Sequence, residues 1–152
     1  MELYEWYETA TTEVLSDYFN DMGYTLTCRT DKDVCDYEVT SSTGETVLLE
    51  AKSRPNVTHT TYEEWFFSNR KLQSLIALQD KTGKRAFLIY LFPDDDTFFI
   101  QSVDELNTYP TKPIPVTNPM NGEEVELEVC IPADIQDYKP INCKKYREFF
   151  HS

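Results

Sequence analysis

The chain has 152 residues, 40% hydrophobic and 14% aromatic, which suits one domain with a real core and excludes a disordered segment. A formal charge of −13 excludes a surface that is basic throughout, the usual footprint of a nucleic-acid binder. No apolar run approaches the ~20 residues of a membrane helix, and no basic, apolar signal segment follows Met1, so a membrane partner is not expected.

Residues 3–22 predict a helix: Leu3, Trp6, Tyr7, Ala10, Val14, Tyr18 and Met22 recur at three- and four-residue spacing, and Gly23 stops it. Tyr24–Arg29 alternates as a first strand, followed by a polar turn at Thr30–Asp33. Two β-prone runs, Asp36–Thr40 and Thr46–Lys52, then flank the polar loop Ser41–Glu45 with its Gly44, the pattern of a hairpin. Antiparallel pairing across that loop sets Thr40 opposite Thr46, and hence Asp36 opposite Glu50, with Cβ atoms about 4.5–5.5 Å apart. Alternation puts Glu50 and Lys52 on the face of Asp36, and Val47, Leu49 and Ala51 with Tyr37 and Val39 on the other.

Two like charges directly opposed destabilise a strand pair unless a cation or a nearby base offsets them. Mg²⁺ takes such oxygen ligands, keeping several waters, and Mn²⁺ is an alternative ion. The lysine beside the pair suits charge stabilisation on a reacting phosphate. An aspartate followed some fourteen positions later by Glu-x-Lys at the end of a hydrophobic strand resembles the PD-(D/E)XK nuclease superfamily, including its Holliday-junction-resolvase-like members. Here the motif reads Cys35-Asp36 and Glu50-Ala51-Lys52, without the usual proline before the aspartate.

The resemblance covers roughly residues 3–103. It implies an α/β fold with a restriction endonuclease-like αβββαβ core, a mixed central sheet and a C-terminal extension from about 104 to 152. It also implies a Mg²⁺-dependent deoxyribonuclease, endo- or exonucleolytic, with DNA as partner. Asp36 and Glu50 would hold the metal, joined by the Ala51 carbonyl. Glu13 is either a third carboxylate from the first helix, as the family commonly supplies, or a solvated edge residue. Lys52 would orient water or neutralise the phosphate. Gln73 is the best match for the polar residue on the helix that follows Glu-x-Lys, with Arg70 and Lys71 as competitors. The competing reading is an acidic nuclease-like fold with a vestigial site, used as a protein-binding or regulatory module.

The charge is uneven in a way that bears on this choice. Residues 52–85 hold seven bases (Lys52, Arg54, Arg70, Lys71, Lys81, Lys84, Arg85) against three acids, a net of +4. Residues 91–137 hold eleven acids and one lysine, net −10, a face turned from DNA or offered to a protein partner or a second copy.

After the break at Pro55, a second long helix is expected from Thr60 or Thr61, where Thr60 with Glu63 or Thr61 with Glu64 forms a capping box. Trp65, Leu72, Leu75, Ile76 and Gln79 then make its inner stripe. His59 in the preceding loop is either a proton shuttle or an ordinary loop histidine. Arg85–Phe92 is almost continuously apolar and suits a central strand covered on both faces. Asp94–Asp96 reads as a solvated turn rather than a metal cluster, Thr97–Gln101 as a returning strand, and Ser102–Leu106 as a short capped helix. Tyr109–Met120, with four prolines, is expected to be a loop, Glu124–Ile131 an edge strand with one acidic face, and Cys143–Ser152 a short helix. The four cysteines lack zinc-site spacing and read as free thiols in a reducing, cytoplasmic compartment; size and acidity suit a phage or mobile-element protein.

Overall fold

A computed structural model describes residues 2–31, 34–118 and 122–151. Lys32 and Asp33 of the expected turn, Pro119 and Met120 of the expected loop, and Ser152 lie outside the described residues. The elements run α1 (Leu3–Asp21), β1 (Thr25–Cys28), β2 (Tyr37–Thr40), β3 (Thr46–Ser53), β4 (Glu64–Ser68), α2 (Asn69–Thr82), β5 (Ala86–Phe92) and β6 (Thr97–Ser102). They continue with α3 (Val103–Leu106), β7 (Thr111–Asn118), β8 (Gly122–Pro132), β9 (Lys139–Pro140) and α4 (Lys144–His151). Six strands form a mixed sheet in the order β1-β2-β3-β5-β6-β9, in which β3 and β5 are parallel and the other pairs antiparallel. The chain is thus mixed α/β, and α1, β1, β2, β3, α2 and β5 follow one another in the expected αβββαβ order, with β4 interposed.

Each face of the sheet has its own core. Leu49, Ile89, Leu91, Val39 and Phe98 meet Ala10, Val14, Leu15 and Phe19 of α1 and Tyr146 of α4. On the opposite face Leu48, Leu88, Tyr90 and Phe92 meet Leu72 and Leu75 of α2, together with Trp65, Phe67, Val129 and Ile131. These last four come from a second, three-stranded sheet of order β4-β8-β7. β5 is therefore apolar at successive residues because both its sides are covered, as its unbroken run of Leu, Ile and aromatic residues predicts.

Three sequence expectations are corrected here. Residues 64–68 are a strand, not the first turns of a helix: Trp65 and Phe67 are buried while Glu64, Phe66 and Ser68 are only partly covered, a period of two. The helix starts at Asn69 because the Ser68 hydroxyl accepts the Lys71 backbone N–H at 3.3 Å. It ends at Gly83, whose φ of 71° closes an N–H to the Gln79 carbonyl that a side-chain-bearing residue would make at a cost.

Residues 111–118 are a strand despite their prolines. Pro113 and Pro115 face Leu127 and Val125 at alternate positions of the outer strand β7, where their missing N–H groups point away from β8. β8 is consequently the central strand of its sheet rather than an edge. Among the described residues no helix is long and apolar enough to cross a membrane. Cys35, Cys130 and Cys143 are buried free thiols, while Cys28 is exposed.

Candidate active site

The hairpin register decides the site. β2 and β3 pair with Thr40 opposite Thr46 and Tyr37 opposite Leu49, the register expected from the five-residue loop, in which Gly44 takes φ 92° and donates to the Ser41 carbonyl. β2 stops at Tyr37, so the edge of β3 beyond Leu49 is left to Asp36. The Asp36 backbone N–H donates to Glu50 Oε1 at 3.1 Å, and Asp36 Oδ2 accepts the Ala51 N–H at 3.0 Å. The two carboxyl groups lie side by side at the strand end. In an extended strand the N–H and C=O of one residue point the same way, so the Ala51 carbonyl also opens on the Asp36 side.

Glu50 shares the Leu48 face of β3, beneath α2 and the second sheet, and is only 8% exposed. Burial, and then the neighbouring Asp36 charge, push its carboxyl up to about 8, opposed by Lys71. The Lys71 ammonium, in the first turn of α2, sits 3.2 Å from Glu50 Oε2. Beside the pair runs a groove of about 700 Å³ whose walls include Glu8 and Thr11 of α1, Arg54, and Lys71. The guanidinium of Arg54 lies over the rings of Tyr62 and Trp65, at 5.9 and 5.7 Å from their centroids.

Lys52 follows Glu50 on the same face, but its ammonium is turned toward the second sheet. It donates to the Phe66 carbonyl at 3.1 Å and lies 5.8 Å from the Tyr90 ring centroid. Burial holds its pKa below the usual lysine value, with Glu128 opposing that effect and Arg54 adding to it. Lys52 and Glu50 both line a second, adjacent cavity of about 450 Å³ between β3, the start of α2, and β8.

The structure brings Asp36, Glu50, Ala51, Lys71 and, one step removed, Lys52 together, and leaves Glu13, Gln73 and His59 outside. Glu13 is exposed and lies near Lys145 of α4, because α1 turns the face of Tyr7, Glu8 and Thr11 to the groove. Glu8 is five residues earlier, about 140° around the helix, and is the α1 carboxylate that reaches the groove. Gln73 is exposed and its amide donates to Asn107 of the α3 end at 3.0 Å. Lys71, two residues back and about 200° around, takes the place expected for Gln73. His59 bonds Asp95 through Nδ1 and packs on Tyr138, lining a separate cavity with Glu63 and Asp134. Asp94, Asp95 and Asp96 do not gather: each pins a different segment, at Asn56, at His59 and Thr97, and at Arg147 and the Cys143 N–H.

No family model matches the chain, and no curated protein matches it. Among solved structures, Hjc, a Holliday junction resolvase from the archaeal hyperthermophile Archaeoglobus fulgidus, is similar in shape. Its TM-score is 0.49 at 12% identity, covering 76% of this chain and 84% of that one. Likeness at that level carries no information about activity.

Among the described residues, no three His, Cys, Asp or Glu side chains come together to form a metal cluster. A divalent cation here would rest on two carboxylates, the Ala51 carbonyl and water. That donor set fits a hard ion that keeps several waters, and a cation between Asp36 and Glu50 would offset the burial and the Asp36 charge that raise Glu50.

Proposed function

We propose that this chain is a metal-dependent nuclease that hydrolyses DNA phosphodiester bonds at the Asp36–Glu50 pair. The observation that carries the reading is the direct contact of two carboxylate-bearing residues, on β3 and just before β2, one of them buried, with the Lys71 ammonium beside them and Arg54 lining the same groove. Asp36, Glu50 and the Ala51 carbonyl would hold Mg²⁺ or Mn²⁺, and the ion would supply Lewis-acid chemistry for hydrolysis. Lys71 and Arg54 offer the local positive charge that a phosphate needs to approach a protein of net charge −13. Lys52 orients water or neutralises charge on the phosphorus centre. Glu8, in the groove wall, takes the part expected of Glu13.

The competing reading, a vestigial site in a protein-binding module, is favoured by the Lys71–Glu50 ion pair, which already satisfies one oxygen a metal would use. Linear, circular and branched DNA incubated with Mn²⁺ and the protein separates the two. The nuclease reading expects cleavage by the wild type that Asp36→Ala loses and Lys52→Ala slows. Cleavage by Asp36→Ala at the wild-type rate, or intact DNA in every lane, ends it.

A further inference from the structure

Glu128 is a carboxylate whose surroundings are not those of a surface acid. It lies on β8, 8% exposed, and its Oε2 is fully buried without a hydrogen-bond partner among the described residues. Lys112, directly across on β7, is exposed and pairs instead with Glu64 at 2.8 Å. On its other side Glu128 faces Ser68, the last residue of β4. β4 is also the strand whose Phe66 carbonyl takes the Lys52 ammonium. Two neighbouring strands of the second sheet therefore converge on Lys52. Glu128, Lys52, Glu50 and Lys71 line the same cavity.

We propose that Glu128 is a positioning residue for Lys52, anchoring the ammonium from the second sheet at the edge of the carboxylate pair. This inference rests on the nuclease reading for its catalytic meaning, though not for its geometry. The charges agree with it: Glu128 and Lys52 are opposite charges that line one cavity, and each attracts the other against the cost of its burial. A buried charge is kept where a partner compensates it, and breaking such a pair from one side exposes the other to an uncompensated cost. The second sheet thereby contributes to the site rather than only covering the core. Phe66 supplies the ammonium with a fixed acceptor, Tyr90 donates its hydroxyl to the same carbonyl at 3.2 Å, and Glu128 supplies the countercharge.

The test uses Glu128→Gln, which keeps the shape and removes the charge, and Glu128→Asp, which restores the charge on a shorter arm. With Mn²⁺ and DNA, Glu128→Gln is expected to lower kcat about 100-fold, the scale of a misplaced catalytic group, with KM within about twofold. Glu128→Asp recovers part of kcat, and Lys52→Ala/Glu128→Gln is no slower than Lys52→Ala alone, because both act through one ammonium. A wild-type kcat in Glu128→Gln, or a defect fully additive to that of Lys52→Ala, overturns the assignment. If the wild-type protein cleaves no DNA, the nuclease reading fails and the positioning is judged on the metal-free protein. There the lysine ammonium ¹⁵N signal of Lys52, assigned with Lys52→Arg, should move in Glu128→Gln; an unmoved signal overturns the positioning as well.

Discussion

Burying Glu50 beside Asp36 should make the metal-free protein less stable as pH rises, and neutralising Glu50 should reverse that. The carboxyl stands at about 8 in the folded chain against 4.5 as the reference value. Its folded pKa is raised, so its contribution to stability is fully present below about 4.5 and is lost as pH climbs through about 8. Between those values the folded state binds the extra proton and the unfolded state does not, so each pH unit costs up to about 1.4 kcal/mol. At pH 7 the penalty is at most about 3 kcal/mol, and at pH 5 under about 1 kcal/mol. Glu50→Gln keeps the volume and an acceptor for the Asp36 N–H while removing the repelled charge. With EDTA present, its melting temperature should exceed the wild type's by about 6–12 °C at pH 7–8, and the gain should shrink toward zero at pH 5. Thermal melts of both proteins across that range measure the difference directly. A Glu50→Gln protein that melts at or below the wild type at pH 8, or a gain equal at pH 5 and 8, refutes the reasoning.

The other expectations follow from particular contacts. Lys71→Ala should slow cleavage at least tenfold by removing the cation beside Glu50, while Gln73→Ala, facing Asn107, should leave the rate within about twofold. Ser68→Ala removes the cap of α2 and should cost about 1 kcal/mol in chemical denaturation, with little change in m-value. Leu75→Ala, fully buried between α2 and both sheets, should cost about 2–5 kcal/mol in the same experiment.

The hairpin was legible because loop length and alternation act together: five polar residues with a glycine set Thr40 against Thr46, and a one-residue slip would have turned Leu49 out of its core. β5 was legible because a strand covered on both sides has no polar face to confuse it. β4 was misread because Thr60 and Thr61, each three residues before a glutamate, imitate a helix start, while the cap that operates, Ser68, has no glutamate behind it. That error carried into the site. With the helix starting at Asn69, Leu72 and Leu75 point inward and Lys71 faces Glu50, so the choice between Lys71 and Gln73 turns on where the first turn lies. On α1 the apolar stripe marks the side facing the sheet but not which carboxylate clears its end, and Glu8 rather than Glu13 does so. The β7–β8 pair was hidden by its prolines, whose alternate spacing is the signal of an outer strand. Glu128 could not be singled out from Glu124 and Glu126, because burial at one end of an alternating strand depends on β4 lying beside it.

The claim on which the account stands is that Asp36 and Glu50 share one divalent ion. Calorimetric titration of Mn²⁺ into the metal-free protein, alongside Asp36→Asn, tests it without any DNA. The account predicts a single site for the wild type at millimolar ion or tighter, lost in Asp36→Asn although that variant melts as a folded protein. No heat from the wild type at millimolar Mn²⁺, or the same binding curve from both proteins, contradicts it.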